Sequence, residues 1–508
     1  MFDYKALQNG SDIRGIALDG VPGEHVNLGR EETFRLTRGF VIWLQDKTGK
    51  SAGELKIAVG HDSRVTADFF MNAIIDTLIH IGIKVFDCGL ASTPALFMST
   101  VFSEYDCDGA IMITASHLPY NRNGFKYFDK EGGLSKSDIS SIISYAQSDI
   151  VTDELPNTDT HDTNPAESVD LIGTYSAYLC ELIKKDVNAE NYDYPLSGLK
   201  IVVDAGNGAG GFYASRILEP LGADVSGSQY LDPDGTFPNH QPNPENAAAM
   251  ASISKRVLAE NADLGIIFDT DVDRSAAVDG NGKEISRNRI VALAAALIAK
   301  EHPGTTVVTD SITSDELTEY LEKCLGLKHL RFKRGYKNVI TKSQELNDQG
   351  IDSQLAIETS GHAAYKENYF LDDGAYLATK IVIKAAQLRK QGVGIDAMLS
   401  SLKEPKEAME IRFPITGPDF QETATAVLDD FLTWAKQNHA VGVSIVEPNY
   451  EGVRLNFNMN GLRGWCLLRK SLHDPILPLN IEVGEGDCYT ILSMITDFLR
   501  AYPKVTLV

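Results

Sequence analysis

Three times along this chain a short apolar run, of a length suited to a buried strand, ends in a polar loop. Gly109-Ala110-Ile111-Met112-Ile113 leads into Thr114-Ala115-Ser116-His117. Leu264-Gly265-Ile266-Ile267-Phe268 leads into Asp269-Thr270-Asp271-Val272-Asp273-Arg274, and Leu355-Ala356-Ile357 into Glu358-Thr359-Ser360-Gly361-His362. Each is preceded by another strand-like run (56–60 and 84–87, then 200–204, then 305–310) and by helical periodicity, as over 67–81. Strand and helix in alternation imply right-handed βαβ units and parallel or mixed sheets. Such sheets bind ligands at the carboxyl ends of their strands. The expected fold is therefore α/β: three related mixed-sheet domains around a cleft, each presenting one loop to it. The last hundred residues break the repeat. Alternating stretches at 452–457 and 464–469 and an amphipathic helix over 488–501 predict a separate C-terminal α+β domain. Boundaries fall at 1–165, 166–285, 286–405 and 406–508, with 149–168, rich in Asp, Thr, Asn and Pro, as a linker.

Charge narrows the partners. The chain carries 47 basic and 70 acidic residues among 508, a net −23, which argues against nucleic acid or an anionic membrane. A small anionic substrate needs basic side chains gathered locally. The six cysteines (88, 107, 180, 324, 466 and 488) are scattered without a CxxC pair, as free thiols in a reducing compartment would be. The stretch Met1-Phe2-Asp3-Tyr4-Lys5 has neither a basic n-region nor an apolar h-region, and no apolar run approaches a membrane span. A soluble, cytoplasmic protein is expected; the sequence does not fix its oligomeric state.

The loops then divide the chemistry. Taken alone, Ser116 reads as a turn or helix-capping serine. Asp269, Asp271 and Asp273 alternate, so in an extended segment their carboxylates point one way. Three converging carboxylates repel one another unless a cation sits among them, and hard oxygen ligands suit Mg²⁺ or Ca²⁺. An EF-hand does not fit, because Arg274 stands where its glycine belongs and Gly280 at its twelfth position. A haloacid-dehalogenase nucleophile loop is also a poor match, with Asp273 at its fifth position. Glu358 and Ser360 offer an acceptor and a hydroxyl suited to sugar hydroxyls. Arg469, Ser471 and His473 alternate in Arg469-Lys470-Ser471-Leu472-His473-Asp474-Pro475, presenting a cation and two donors to one anion, best a phosphate.

Taken together, these loops resemble those of the α-D-phosphohexomutase superfamily (phosphoglucomutase, phosphomannomutase and phosphoglucosamine mutase) over essentially the whole chain. Thr114-Ala115-Ser116-His117 with Asn123-Gly124-Phe125-Lys126 is similar to the family's phosphoserine loop. The 269–274, 358–362 and 469–475 stretches resemble its metal, sugar and phosphate loops, and Asp12-Ile13-Arg14-Gly15 also fits. The resemblance implies a phosphoryl group on Ser116, and Mg²⁺ held by Asp269, Asp271, Asp273 and an oxygen of that phosphoserine. Arg274 and Lys126 would add positive charge. Lys126 and His362 would move protons, supported by Arg14, with His117 beside the nucleophile. Glu358 and Ser360 would contact the sugar, and Arg469, Ser471 and His473 the phosphate that is not reacting. Hexose 1-phosphate and 6-phosphate, of glucose or mannose, would interconvert through a hexose-1,6-bisphosphate. Glucose-1,6-bisphosphate or another sugar bisphosphate would serve as activator or phosphoryl donor.

The phosphate loop departs from that family's pattern. Leu472 and His473 stand where many relatives have Gly-Thr, and no arginine follows Pro475. Loss of one charge-assisted contact weakens a grip by about 1.5–3 kcal/mol. A looser grip raises an alternative: a glucose-1,6-bisphosphate synthase recharged by fructose-1,6-bisphosphate. An alternative of another class is a catalytically silent sugar-phosphate-binding protein, which the intact serine and carboxylates speak against.

Overall fold

The strand Gly109–Ile113 is buried at every position, and the first sheet is built around it. A computed structural model of the protein describes residues 2–148, 151, 166–471 and 474–507. In it, Lys56–His61 runs parallel to Gly109–Ile113 on one side, and Arg122–Asp129 returns antiparallel on the other. Lys84–Leu90 and Asp12–Ile16 extend the sheet outward. Helices Arg30–Thr48, Ala67–His80 and Lys136–Gln147 cover it with apolar faces that meet Ile57, Val59, Ile111 and Phe125 in one core. Most of the expected linker, residues 149–150 and 152–165, lies outside the described residues. Its far end, Glu167–Ser168, is a short strand pairing with Lys84–Leu90.

The second repeat uses the same plan with fewer strands. Ile201–Asp204 and Leu264–Phe268 are parallel, and Ser275–Asp279 turns back antiparallel. The third repeat supplies three parallel strands, Lys328–Arg331, Thr306–Thr309 and Leu355–Ile357, and an antiparallel pair, Ala363–Tyr365 with Leu371–Asp372. The first two sheets are therefore mixed for the same reason: the strand after the polar loop folds back antiparallel rather than crossing over.

At the C-terminus five antiparallel strands lie in the order Glu407–Pro414, Ile476–Glu485, Leu462–Leu468, Val453–Met459, Val443–Ile445. Helices Phe420–Gln437 and Cys488–Leu499 bury Val427, Phe431, Ile491 and Ile495 against them. The α+β expectation holds.

By contact density the chain forms two units, Met1–Leu297 with Ser360–Met398, and Ile298–Thr359 with Leu399–Val508. Within the second, Arg454 does much of the joining. Its guanidinium stacks 3.6 Å from the Trp465 ring centroid and donates to the carbonyls of Ser311 (3.0 Å) and Thr313 (3.1 Å). Among the described residues no helix is long and apolar enough to cross a membrane.

Candidate active site

Beyond Ile113 the first loop tightens at once. Thr114 Oγ1 accepts from the Ser116 amide at 2.8 Å, a local turn that carries Ser116 to φ +49°. A non-glycine residue in the left-handed region is uncommon, and such residues gather at functional sites. Arg14 donates to the Thr114 carbonyl and, at 2.7 Å, to Asp12. The neighbouring strands pack so closely that a Cβ on Gly124 would lie 2.0 Å from the Ile13 carbonyl oxygen. Only glycine permits that approach, which brings Arg14 beside the loop.

Asp269, Asp271 and Asp273 follow the next buried strand, and all three are buried. The extended segment expected from their alternation is absent: residues 270–273 turn, with Val272 at φ +66°. The turn, not a strand face, brings the carboxylates together. One oxygen from each lies within 4.8 Å of the others. A β-branched side chain in this backbone region is strained, and its burial among packed neighbours holds it there. Gly374 is pressed against the same turn, where a Cβ would sit 2.5 Å from the Arg274 carbonyl carbon.

The two loops meet. Ser116 Oγ donates to Asp269 Oδ2 at 3.1 Å and lies 3.3 Å from His117 Nδ1. Lys126 bonds Asp273 and stands 3.2 Å from Asp271 Oδ2, while Thr93 Oγ1 donates to the same Asp271 oxygen at 2.5 Å. Burial, then Asp273 and Asp271, push the Asp269 carboxyl well above the usual range. Burial also works against Asp273, but the positive charges of Lys126 and Arg274 outweigh it and hold that carboxyl low. His117 is pushed down to about 2 by burial and then by the charge of Arg274, so its ring is neutral. Among the described residues Asp271 Oδ1 and Asp273 Oδ1 are buried and accept no hydrogen bond. Hard, orphaned oxygens at this spacing fit a divalent cation such as Mg²⁺.

His362 closes this cluster. Arg274 Nε can only donate, so at 3.0 Å the His362 Nε2 must accept. The ring proton is then on Nδ1, directed at Ser360 Oγ 2.7 Å away. Asp372 Oδ2 lies 3.6 Å from the same imidazole.

The second unit carries the other predicted residues. Glu358 is buried and accepts from the Gly335 amide at 2.6 Å. Asp310 accepts from Thr359 Oγ1 at 2.8 Å and has Arg334 Nε at 3.6 Å; burial and then Glu358 push its carboxyl up to about 7. Arg469 is paired loosely with Glu451 at 4.0 Å, and its Nε is buried without a hydrogen bond among the described residues. The Asp474 amide donates to Ser471 Oγ at 3.1 Å. Leu472 and His473, on which the departure from the phosphate-loop pattern turns, lie outside the described residues.

Thus Arg14, Ser116, His117, Lys126, Asp269, Asp271, Asp273, Arg274, Ser360 and His362 belong to one unit, and Glu358, Arg469 and Ser471 to the other. The sequence reading passed over Arg64, Thr93, Asp310, Arg334 and Asp372. Asp62 and Arg64 carried a usable signal, because they too follow a buried strand as a charged loop.

Comparison with known proteins agrees with this arrangement in order and extent. Three consecutive profiles match, phosphoglucomutase/phosphomannomutase alpha/beta/alpha domain I over residues 5–150, domain II over 176–282 and domain III over 286–403. The chain belongs to the phosphoglucomutase/phosphomannomutase family. That places it in the α-D-phosphohexomutase superfamily, as a phosphotransferase of the mutase type. The phosphomannomutase/phosphoglucomutase of Pseudomonas aeruginosa is 28% identical over 472 residues, covering 92% of each chain. The phosphoglucosamine mutase of Lactobacillus delbrueckii subsp. bulgaricus is 28% identical over 443 residues, covering 86% of this chain and 92% of its own. Among solved structures, a phosphoglucomutase/phosphomannomutase family protein from Burkholderia thailandensis superposes with a TM-score of 0.77 at 24% identity, covering 99% of this chain and 98% of that one. At that identity it speaks for the fold alone.

Proposed function

We propose that the protein interconverts the 1- and 6-phosphates of a hexose, glucose or mannose or both, through a phosphoserine at Ser116 and a hexose-1,6-bisphosphate. The observation that carries this reading is Ser116 Oγ, 3.1 Å from Asp269 Oδ2, at the edge of a carboxylate triad with two orphaned oxygens. Asp269, Asp271 and Asp273 would hold Mg²⁺ together with an oxygen of the phosphorylated Ser116. Bound there, the ion would withdraw charge from the phosphoryl group.

The chain's own residues do the rest. A sugar hydroxyl attacks the phosphorus on Ser116, the bond from phosphorus to Oγ breaks, and the hydroxyl proton is relayed through Lys126 or His362 to the departing Ser116 oxygen, leaving the relay residue in its starting charge state. In the return step Ser116 Oγ attacks the other phosphate of the bisphosphate, the bond from phosphorus to the sugar oxygen breaks, and the serine proton passes back by the same relay to the released sugar oxygen. Arg274 and Lys126 supply positive charge around the transferring group. Arg14 supports the loop through the Thr114 carbonyl, and the neutral ring of His117 packs beside the nucleophile. Glu358 and Ser360 select the sugar through its hydroxyls. Arg469, Ser471 and His473 hold the phosphate that is not reacting, converting remote binding into orientation.

The test supplies glucose 1-phosphate with Mg²⁺ and a catalytic amount of glucose-1,6-bisphosphate, and follows glucose 6-phosphate and free bisphosphate together. Multiple turnovers to glucose 6-phosphate, lost in Ser116→Ala, are expected. Stoichiometric bisphosphate accumulating from fructose-1,6-bisphosphate would replace this reading with the synthase. A phosphoryl group on Asp269, acid-labile where phosphoserine is acid-stable, would overturn both.

A further inference from the structure

Arg64 takes no part in the chemistry above, yet it is among the largest fully buried side chains in the molecule. Its guanidinium donates to four backbone carbonyls: Ser116 (2.5 Å), Leu118 (2.7 Å), Pro119 (2.9 Å) and Arg122 (2.8 Å). Those acceptors run from the reacting serine itself to the strand that carries Lys126. Beneath it lies Asp62, also buried, 3.4 Å from Arg64 Nε, with its Oδ1 accepting from the Arg64 amide at 2.9 Å.

A segment of the second repeat closes over the arginine. Gly235 packs so tightly on the Ser63–Val65 backbone that a Cβ there would meet the Ser63 oxygen and the Val65 nitrogen at 2.4 Å. The Phe237 ring stacks 5.4 Å from the guanidinium. Further along the same segment, Gln241 Nε2 donates to the His117 carbonyl at 2.9 Å. Together Arg64 and Gln241 engage two successive carbonyls, those of Ser116 and His117, in a loop whose serine holds an unfavourable backbone angle.

We infer that Arg64 is a positioning residue: its fork, closed in by the 235–241 segment, holds Ser116 in the left-handed conformation that aims Oγ at the carboxylate triad. A buried arginine whose donors are spread over four carbonyls of one loop fixes that loop's shape rather than one contact. A lysine, with a compact ammonium and three donors, keeps the charge but not the planar fork. Displacement of a reacting group by about 1 Å costs about a hundredfold in rate.

The inference rests on Ser116 being the phosphorylated residue, so the experiment reads that step directly. Arg64→Lys and Gln241→Ala are compared with the wild type in three measurements. These are thermal stability, the single-turnover rate of Ser116 phosphorylation by glucose-1,6-bisphosphate followed by intact mass, and kcat and KM for glucose 1-phosphate. Arg64→Lys is expected to slow phosphorylation and lower kcat by about a hundredfold while KM stays within about twofold. Gln241→Ala, which leaves the buried arginine in place, is expected to lower both rates by about three- to tenfold. Wild-type phosphorylation and kcat in folded Arg64→Lys, or in Gln241→Ala should the lysine variant not fold, overturn the inference. A wild type that never becomes phosphorylated on Ser116 overturns the proposed function instead, so the two failures are told apart.

Discussion

Single residues decide the electrostatics, and their directions can be tested. Asp310 has its carboxyl raised to about 7 by burial and then by Glu358. Between about pH 4 and pH 7 the folded state therefore keeps a proton that the unfolded chain has lost. That stability is complete below the unfolded value and is lost as pH rises through the folded one. The wild-type melting temperature should therefore fall more steeply from pH 4.5 to 7.5 than that of Asp310→Asn; equal slopes would assign the raised carboxyl elsewhere. For the triad, Asp271→Asn keeps shape and removes charge. It should lower kcat/KM by about a hundredfold or more and raise the Mg²⁺ concentration needed for half-activity. Chelation of Mg²⁺ from the wild type should abolish turnover, and readdition should restore it.

At the level of elements, the loops were far more legible than their partners. Ser116, the three aspartates and His362 announce themselves because each follows an apolar run whose burial the sequence makes plain. Pattern reading found the carboxylates' convergence but gave the wrong cause, since alternation cannot reveal that Val272 takes a positive φ. Arg64 was harder still: its carbonyl acceptors lie 52 to 58 residues downstream, and backbone acceptors leave no trace in side-chain identity. The turn at Val272 is also crowded by Gly374. Gly374→Ala should destabilise the protein by about 1–3 kcal/mol, as overpacking of a tight contact does. It should also reduce activity by shifting Arg274. A melting curve and a kcat measured on one preparation would separate the two effects, and an unchanged melt would mean that the backbone yields.

For the whole molecule, charge dominates. A net −23 opposes compaction by self-repulsion, and salt screens it over about 10 Å at 0.1 M. Raising NaCl from 20 to 200 mM should therefore raise the melting temperature, measured by calorimetry, by a few degrees (about 1 kcal/mol shifts it by about 2–4 °C in larger domains). A flat response would mean that local ion pairs already neutralise the surface. Fold class was readable at this scale because strand and helix alternate. What the sequence did not disclose is that residues 298–359 share a unit with the C-terminal domain. Among the contacts that join them is the buried Arg454, whose carbonyl acceptors lie about 140 positions earlier in the chain, together with Glu451, which accepts from Ser311 Oγ and the Arg334 amide.

The positive φ of Ser116 restricts more than its aim. Threonine offers the same hydroxyl with one more methyl group on Cβ. At a left-handed position a branched Cβ adds strain that a serine avoids. The identity of the proposed carrier is therefore set by the main chain rather than by the reactivity of its oxygen. A substitution that looks harmless on paper, Ser116→Thr, amounts here to a change of backbone shape.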